Sequence, residues 1–302
     1  MRIAVTGNRG QVVAALRDRG PAAGLEVIAV GRPALDLSLG GTALTALAAA
    51  KPDAVVHAAA YTAVDQAERE PEIAYQINVV GTREVAAAAH ALGVPVAYLS
   101  TDYVFDGEKR TPYVESDPVS PSSVYGSTKA AGEHSVAAHT PNHAILRISW
   151  IYSPFGKNFV QTMLRLAQSR EKIEVVSDQH GAPTSAFDVA DGIIAVAKNL
   201  VSRPDDAALR GLFHMTAGGD TTWAGFAEAI FAAAKDYGGP SATVRPIASR
   251  DYPQAAKRPV NSRLDCAKIA KIHGVRLPPW QSSLKLCVER IVKADESLGD
   301  KE

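Results

Sequence analysis

The chain has 302 residues, long enough for one large α/β domain or for a nucleotide-binding domain carrying a smaller partner. Lysine plus arginine equals aspartate plus glutamate at 32 each, so charge makes no case for nucleic acid or an anionic membrane as partner, and small-molecule chemistry fits better. Two cysteines outside any metal-ligand spacing, histidines without HxxH or HExxH pairing, and no apolar run near the ~18 residues of a membrane span argue against a disulfide scaffold, a metal centre and a membrane protein.

Met1 leads straight into a strand instead of a signal peptide, so a cytoplasmic protein is expected. Arg2 to Thr6 is a short β-branched run, and from Gln11 to Arg19 the pattern turns helical, with Val12, Ala15 and Leu16 on one side. Between them, Gly7 permits a tight turn and Gly10 lets the backbone amides near Gln11 and Val12 approach a pyrophosphate at the helix N-terminus. Val13 stands where a GxxGxxG pattern has its third glycine, so the helix should stand further from the strand or the valine point away. An ordinary βα turn is the plain alternative, weakened by the turn's place in the first βα unit.

Glu26 to Val30 makes a second strand, ending at Gly31-Arg32. An acidic residue near this strand end usually holds the ribose 2′-hydroxyl of NAD, whereas an arginine accommodates a 2′-phosphate, so Arg32 favours NADPH over NADH. A solvated surface arginine is the competing reading. Asp36-Leu37 lies in a loop that can reach an adenine, and a helix from Thr42 to Lys51 leads into a strand from Ala54 to Ala60. Ala60, Tyr61 and Thr62 leave that strand end, where open parallel sheets bind ligands. Glu72 to Leu92 reads as one helix carrying Asn78, with an exposed or locally bonded asparagine weighed evenly against a proton-relay role. Pro95 to Leu99 is the fourth strand, and Ser100-Thr101-Asp102 at its end is either a site hydroxyl cluster or a helix cap.

Asp106 to Pro121, with three prolines and several charges, should be a surface loop beside the site. It is followed by Tyr125-Gly126-Ser127-Thr128-Lys129, which on a helix places a phenol and an ammonium on one face. A free tyrosine titrates near ~10, and a neighbouring cation should draw Tyr125 down toward neutrality, making it a usable acid. The helix runs to about His139, and His143 to Ile148 gives a fifth strand leading to Trp150.

The rhythm then changes. Asn158 to Ser169 is helical, with Phe159, Met163, Leu164 and Leu166 spaced as core; Glu174 to Asp178 is a short strand. Ser185 to Leu200, Gly211 to Thr216 and Thr222 to Tyr237 read as helix, strand and helix, and a last helix starts near Pro279. Alternating βα units imply an α/β fold with a doubly wound parallel sheet over residues 1–150, extended by a return segment at 185–218. A smaller C-terminal substrate lobe takes residues 151–184 and 219–302.

Gly7 and Gly10, Asn78, Ser100-Thr101-Asp102 and Tyr125 with Lys129 together resemble the extended short-chain dehydrogenase/reductases. The longer stretches at residues 58–65, 100–105, 149–152, 178–184 and 258–262 are similar to the dTDP-4-dehydrorhamnose reductase family, and they run in order along nearly the whole chain. This resemblance implies reduction of a nucleotide-sugar C4 ketone by NADPH. Tyr125 would be the general acid, Lys129 would hold the nicotinamide ribose, and Thr101 would fix the carbonyl oxygen. Asp102 and Trp150 would contact the sugar, while Asn158, Phe159 and the loop after Asp178 would face the nucleoside end. The strand ends at Ala60, Tyr61 and Thr62 and at Asp36 and Leu37 would line the cofactor.

Some members of the family are dimers bridged by magnesium through glutamates. The first helix here has no carboxylate before Asp18, so no metal is expected, and a homodimer is left open. Two alternatives stand beside this reading: a 4-ketoreductase for another nucleotide deoxysugar, and a non-catalytic regulatory subunit like that of methionine adenosyltransferase. The presence of both Tyr125 and Lys129 weighs against the second.

Overall fold

The structure, a computed structural model, describes residues 1–299. Its centre is a six-stranded sheet whose strands all pair in parallel. Strands β1 (Arg2–Thr6), β2 (Glu26–Val30), β3 (Ala54–His57), β4 (Val96–Thr101) and β5 (His143–Ile148) come in the order β2-β1-β3-β4-β5. The strand Gly211–His214 closes the sheet beside β5. β3 and β4 are buried along their whole length, which is why they read as apolar runs without alternation.

The chain leaves β1 toward β2 on one side, then crosses to β3 on the other. A crevice therefore opens between the ends of β1 and β3, the switch point where open α/β sheets hold their ligands. One hydrophobic core lies under helix α1 (Gln11–Arg19) and helix Ala186–Ser202, and a second covers the opposite face under helices Ala43–Ala50 and Thr82–Ala91. Val13 does not point away: it is buried in the first core, and Cβ atoms built on Gly7 and Gly10 would each lie 3.7 Å from its Cγ2. These are ordinary contact distances, so the valine packs beside the turn without crowding it.

A third core gathers helices Phe159–Ala167, Trp223–Lys235 and Trp280–Gly299. Beside it, Lys172–Val176 pairs in parallel with Thr243–Ile247, a strand that the sequence pattern did not reveal. Its residues are half or fully exposed and include Pro246, so no apolar run marks it.

The expected single helix over Glu72 to Leu92 is interrupted. Pro71–Tyr75 and Thr82–Ala91 are α-helical, and Gln76–Gly81 between them is a π-helical turn. The wider turn carries Asn78, in keeping with the tendency of such bulges to aim a residue at a functional site. No helix among the described residues is long and apolar enough to cross a membrane.

Candidate active site

The floor of the crevice is built by the ends of β1 and β3. Gly7 has φ +100° and sends its N–H to the Val30 carbonyl at 2.8 Å, a conformation that side chains rarely adopt. Helix α1 follows with Gly10 at its N-cap, and no side chain caps it. Its first amides therefore keep the donors that an anion requires. Thr6 Oγ1 accepts the N–H groups of Ala58 and Ala59 at 3.1 and 3.0 Å, so its own proton goes to His57 Nδ1 at 2.8 Å. His57 must then donate from Nε2 to Thr82 Oγ1 at 3.0 Å. Burial pushes this imidazole down to about 3, and the Lys129 charge acts in the same direction, so His57 is a neutral girder and no acid.

Tyr125 and Lys129 ride on helix Val124–His139, which starts from Ser123, whose Oγ accepts the Gly126 N–H at 3.1 Å. Two glycines let this helix lie close to the turn after β4 and to the π-helical turn. A Cβ at Gly126 would collide with the Tyr103 carbonyl, and one at Gly132 would meet the Asn78 carbonyl at 2.6 Å. The Tyr125 ring stands edge-on to Tyr103 with centroids 5.5 Å apart. Lys129 is buried, donates to the Leu99 carbonyl at 2.7 Å and lies 4.1 Å over the Tyr98 ring.

The titration of this pair runs against the expectation from sequence. Burial and the nearby Asp102 carboxylate push the Tyr125 phenol well above its ordinary value, and the Thr101 hydroxyl only partly opposes them. Burial lowers Lys129 to about 7, opposed by the Glu133 carboxylate. Desolvation outweighs the attraction between neighbours, so the phenol holds its proton firmly near neutral pH.

Thr101 donates to Asp102 Oδ1 at 3.0 Å and accepts the Tyr103 N–H at 3.2 Å, so it is both a helix cap and a site hydroxyl. Burial raises Asp102 to about 6, against the Ser262 and Thr101 hydroxyls, and its Oδ2 has no hydrogen-bond partner. Asp102 lines the crevice, and a buried carboxylate oxygen without a partner is a group that an arriving hydroxyl can satisfy. Asn78, 1% exposed, is neither of the surface options: it pairs with both backbone groups of Tyr61 and donates to Thr128 at 3.0 Å. It ties the β3 loop to the catalytic helix.

Behind the site sits a group that sequence reasoning missed. Arg147 grips Glu133 through Nε and Nη2 at 2.8 and 2.6 Å, and Ser100 Oγ donates to the same carboxylate at 2.5 Å. All three are buried, and they clamp β4, β5 and helix Val124–His139 together. The available signal was spacing: Glu133 follows Lys129 by four and Tyr125 by eight, on one helical face.

A cavity of about 580 Å³ brings together Gly10, Gln11 and Val12 from the turn, Ala60 and Thr62 from the β3 end, and Thr101, Asp102, Tyr125 and Lys129. Trp150 and Asn158 complete its wall. Asn158 donates to Gln11 at 3.0 Å and caps helix Phe159–Ala167, which sets it against the glycine turn. Phe159 lines a second cavity of about 640 Å³, together with Trp223, Arg170, Lys172, Arg245 and Arg258, and Tyr103 borders both. Arg32, Asp36, Leu37 and Tyr61 lie off the first cavity. Arg32 pairs with Asp36 at 2.9 Å near the β2 end, Leu37 packs on Gly81, and the Tyr61 hydroxyl bonds Glu70 at 2.6 Å.

Residues 1–293 match the family described as the RmlD substrate binding domain. The dTDP-4-dehydrorhamnose reductase of Sinorhizobium fredii is 46% identical over 288 residues, covering 95% of this chain and 97% of that protein. The chain belongs to the dTDP-4-dehydrorhamnose reductase family. A crystal structure of a family member from Clostridium acetobutylicum superposes with a TM-score of 0.87 at 35% identity, covering 96% of this chain and 99% of that one. Another, from Bacillus anthracis in complex with NADP, gives 0.86 at 33% identity, covering 95% and 98%. Against the family resemblance read from sequence, the glycine turn, the Tyr125–Lys129 helix and the Thr101–Asp102 strand end meet in one crevice.

Proposed function

We propose that the chain reduces the C4 ketone of dTDP-4-dehydro-6-deoxy-L-mannose (dTDP-4-dehydrorhamnose) to dTDP-L-rhamnose with NADPH. The observation that carries this is the convergence of Thr101, Asp102, Tyr125 and Lys129 on a cavity floored by an uncapped helix N-terminus, beside a second cavity rich in arginine. The turn at Gly7 and Gly10 fits a dinucleotide pyrophosphate, and Lys129, which lines the same cavity, would hold the nicotinamide ribose. When bound there, the cofactor supplies hydride.

The rest is work for side chains. Tyr125 presents its hydroxyl to the ketone oxygen, and Thr101 reaches the same oxygen by turning its one proton away from Asp102 Oδ1. As that oxygen becomes an alkoxide, far more basic than a phenolate, even a tightly held phenol proton moves to it. Lys129 in its ammonium form then stabilises the phenolate, which recovers a proton from solvent. Asp102 lines the first cavity, where its carboxylate would suit a sugar hydroxyl, and the arginines of the second cavity suit a diphosphate. The two cysteines are unpaired, as suits the cytoplasm. NADPH consumption with dTDP-4-dehydrorhamnose, compared with a 4-keto sugar epimeric at C3 or C5, tests the assignment. Equal turnover of both would point to another deoxysugar.

Two predictions follow from charge. In the free protein Lys129 is charged only below about 7, so kcat/KM should fall as pH rises through that value. Glu133→Gln removes the carboxylate that keeps the ammonium charged and should move this alkaline limb to lower pH. A limb that stays in place would assign it to another group. Arg32 is 67% exposed in its side chain and pairs with Asp36 at 2.9 Å, a surface pair for which a 2′-phosphate would compete. Arg32→Ala should lower the NADPH-to-NADH ratio of kcat/KM by about tenfold, the loss of one exposed charge-assisted contact. An unchanged ratio would remove Arg32 from cofactor selection.

A further inference from the structure

The segment Asp178–Thr184 stands out in the sequence, yet the reaction as described gives it no task. Its surroundings supply one. Trp150 adopts a left-handed backbone with φ +49°, and its carbonyl accepts the Thr184 N–H at 3.0 Å. Its indole is stacked on Trp223 with centroids 3.6 Å apart and planes 12° from parallel. That face leaves no room for anything else, and a Cβ at Gly181 would overlap the indole, so the Gly181 backbone backs the other face. Gly181 pairs with Thr221, and Trp223 opens the next helix two residues later, so one short ribbon carries both sides of the sandwich. Gln179 fixes its outer plate: its Oε1 accepts the Trp223 indole N–H at 3.2 Å, and its Nε2 donates to Ser249 at 2.9 Å.

We propose that Gly181, Trp223 and Gln179 are positioning residues that hold the Trp150 indole as a fixed partition between the two cavities and thereby set where the sugar ring meets Tyr125. Trp150 lines the first cavity and Trp223 the second. A ligand with a sugar in one and a nucleoside diphosphate in the other must bend past their edge. The indole pays for this fixed position with a strained backbone, and a strained conformation persists only where its surroundings over-determine it. Reacting atoms displaced by about 1 Å cost on the order of 100-fold in rate.

The inference rests on the proposed function, and its test separates the two. Binding of dTDP and of dTDP-L-rhamnose is measured by calorimetry on the full chain, alongside kcat and KM. Wild-type protein that binds neither nucleotide would overturn the functional reading and this inference with it. Given wild-type binding, Gly181→Ala should lower kcat by about 10- to 100-fold and shrink the affinity advantage of dTDP-L-rhamnose over dTDP by about tenfold, while dTDP affinity stays within about twofold. Trp223→Leu should lose the same sugar-specific advantage, and Trp223→Phe, which keeps a stacking ring, should restore it. Unchanged kcat and sugar advantage in Gly181→Ala and Trp223→Leu would overturn the proposal. So would a parallel loss of dTDP and dTDP-L-rhamnose binding in Gly181→Ala, whose residue lines neither cavity, because a merely structural role weakens both alike.

Discussion

Tyr125→Phe is expected to lower kcat by about 10²- to 10⁴-fold, the range for removing a positioned general acid, with NADPH affinity and the urea unfolding midpoint close to wild type. The substitution deletes one oxygen and keeps the ring that packs edge-on against Tyr103, so packing gives no reason for a loss of stability. What disappears is the proton beside Thr101. The phenol is well suited to hold it, because burial and the Asp102 carboxylate raise its pKa so that near neutrality it is protonated in almost every molecule. A group that must give up a proton need not be a strong acid when the acceptor is an alkoxide. The check is steady-state kinetics joined to fluorescence titration with NADPH: a fall in kcat with binding retained assigns the hydroxyl to the chemical step, and equal rates would remove it from the mechanism.

Arg147→Met should cost about 3–5 kcal/mol of stability, the loss seen when one partner of a buried ion pair is removed. Glu133 and Arg147 are both buried, and their pair is bidentate. Taking away the guanidinium leaves a largely buried carboxylate with the Ser100 hydroxyl as its remaining hydrogen-bond donor. The double variant Arg147→Met with Glu133→Leu should recover most of the loss, since replacing both charges by apolar groups of similar size is often neutral. Urea denaturation of the single and double variants measures this directly. A loss under about 1 kcal/mol in the single variant would mean that the pair behaves as a solvated one and does not clamp the catalytic helix to β4 and β5.

The parts legible from sequence are those written in neighbouring residues. β1, the glycine turn and α1 follow one another, buried parallel strands read as apolar runs, and the i to i+4 spacing puts Tyr125 and Lys129 on one helical face. What was hidden depends on residues far apart in the chain. Nothing local shows that Asn78 lies in a π-turn bonded to Tyr61 and Thr128, or that Glu133 meets Arg147. The Tyr125 pKa went the other way because the expectation counted a neighbouring cation and not the water that folding removes. Asn158 caps a helix and bonds Gln11, a pairing across 147 positions that no local pattern shows. Trp150 was recognisable by resemblance, but its stacking partner at Trp223 and its backing at Gly181 come from other elements.

Underneath the account lies a single arrangement: a sugar ketone held between the Tyr125 hydroxyl and a reduced nicotinamide in the crevice above β1 and β3. Incubation of the wild-type protein with dTDP-4-dehydrorhamnose and NADPH carrying deuterium at the transferable nicotinamide position tests it most directly. Mass and proton spectra of the product should show one deuterium, at C4 of dTDP-L-rhamnose. A product without deuterium at C4, or NADPH left unconsumed, would contradict it.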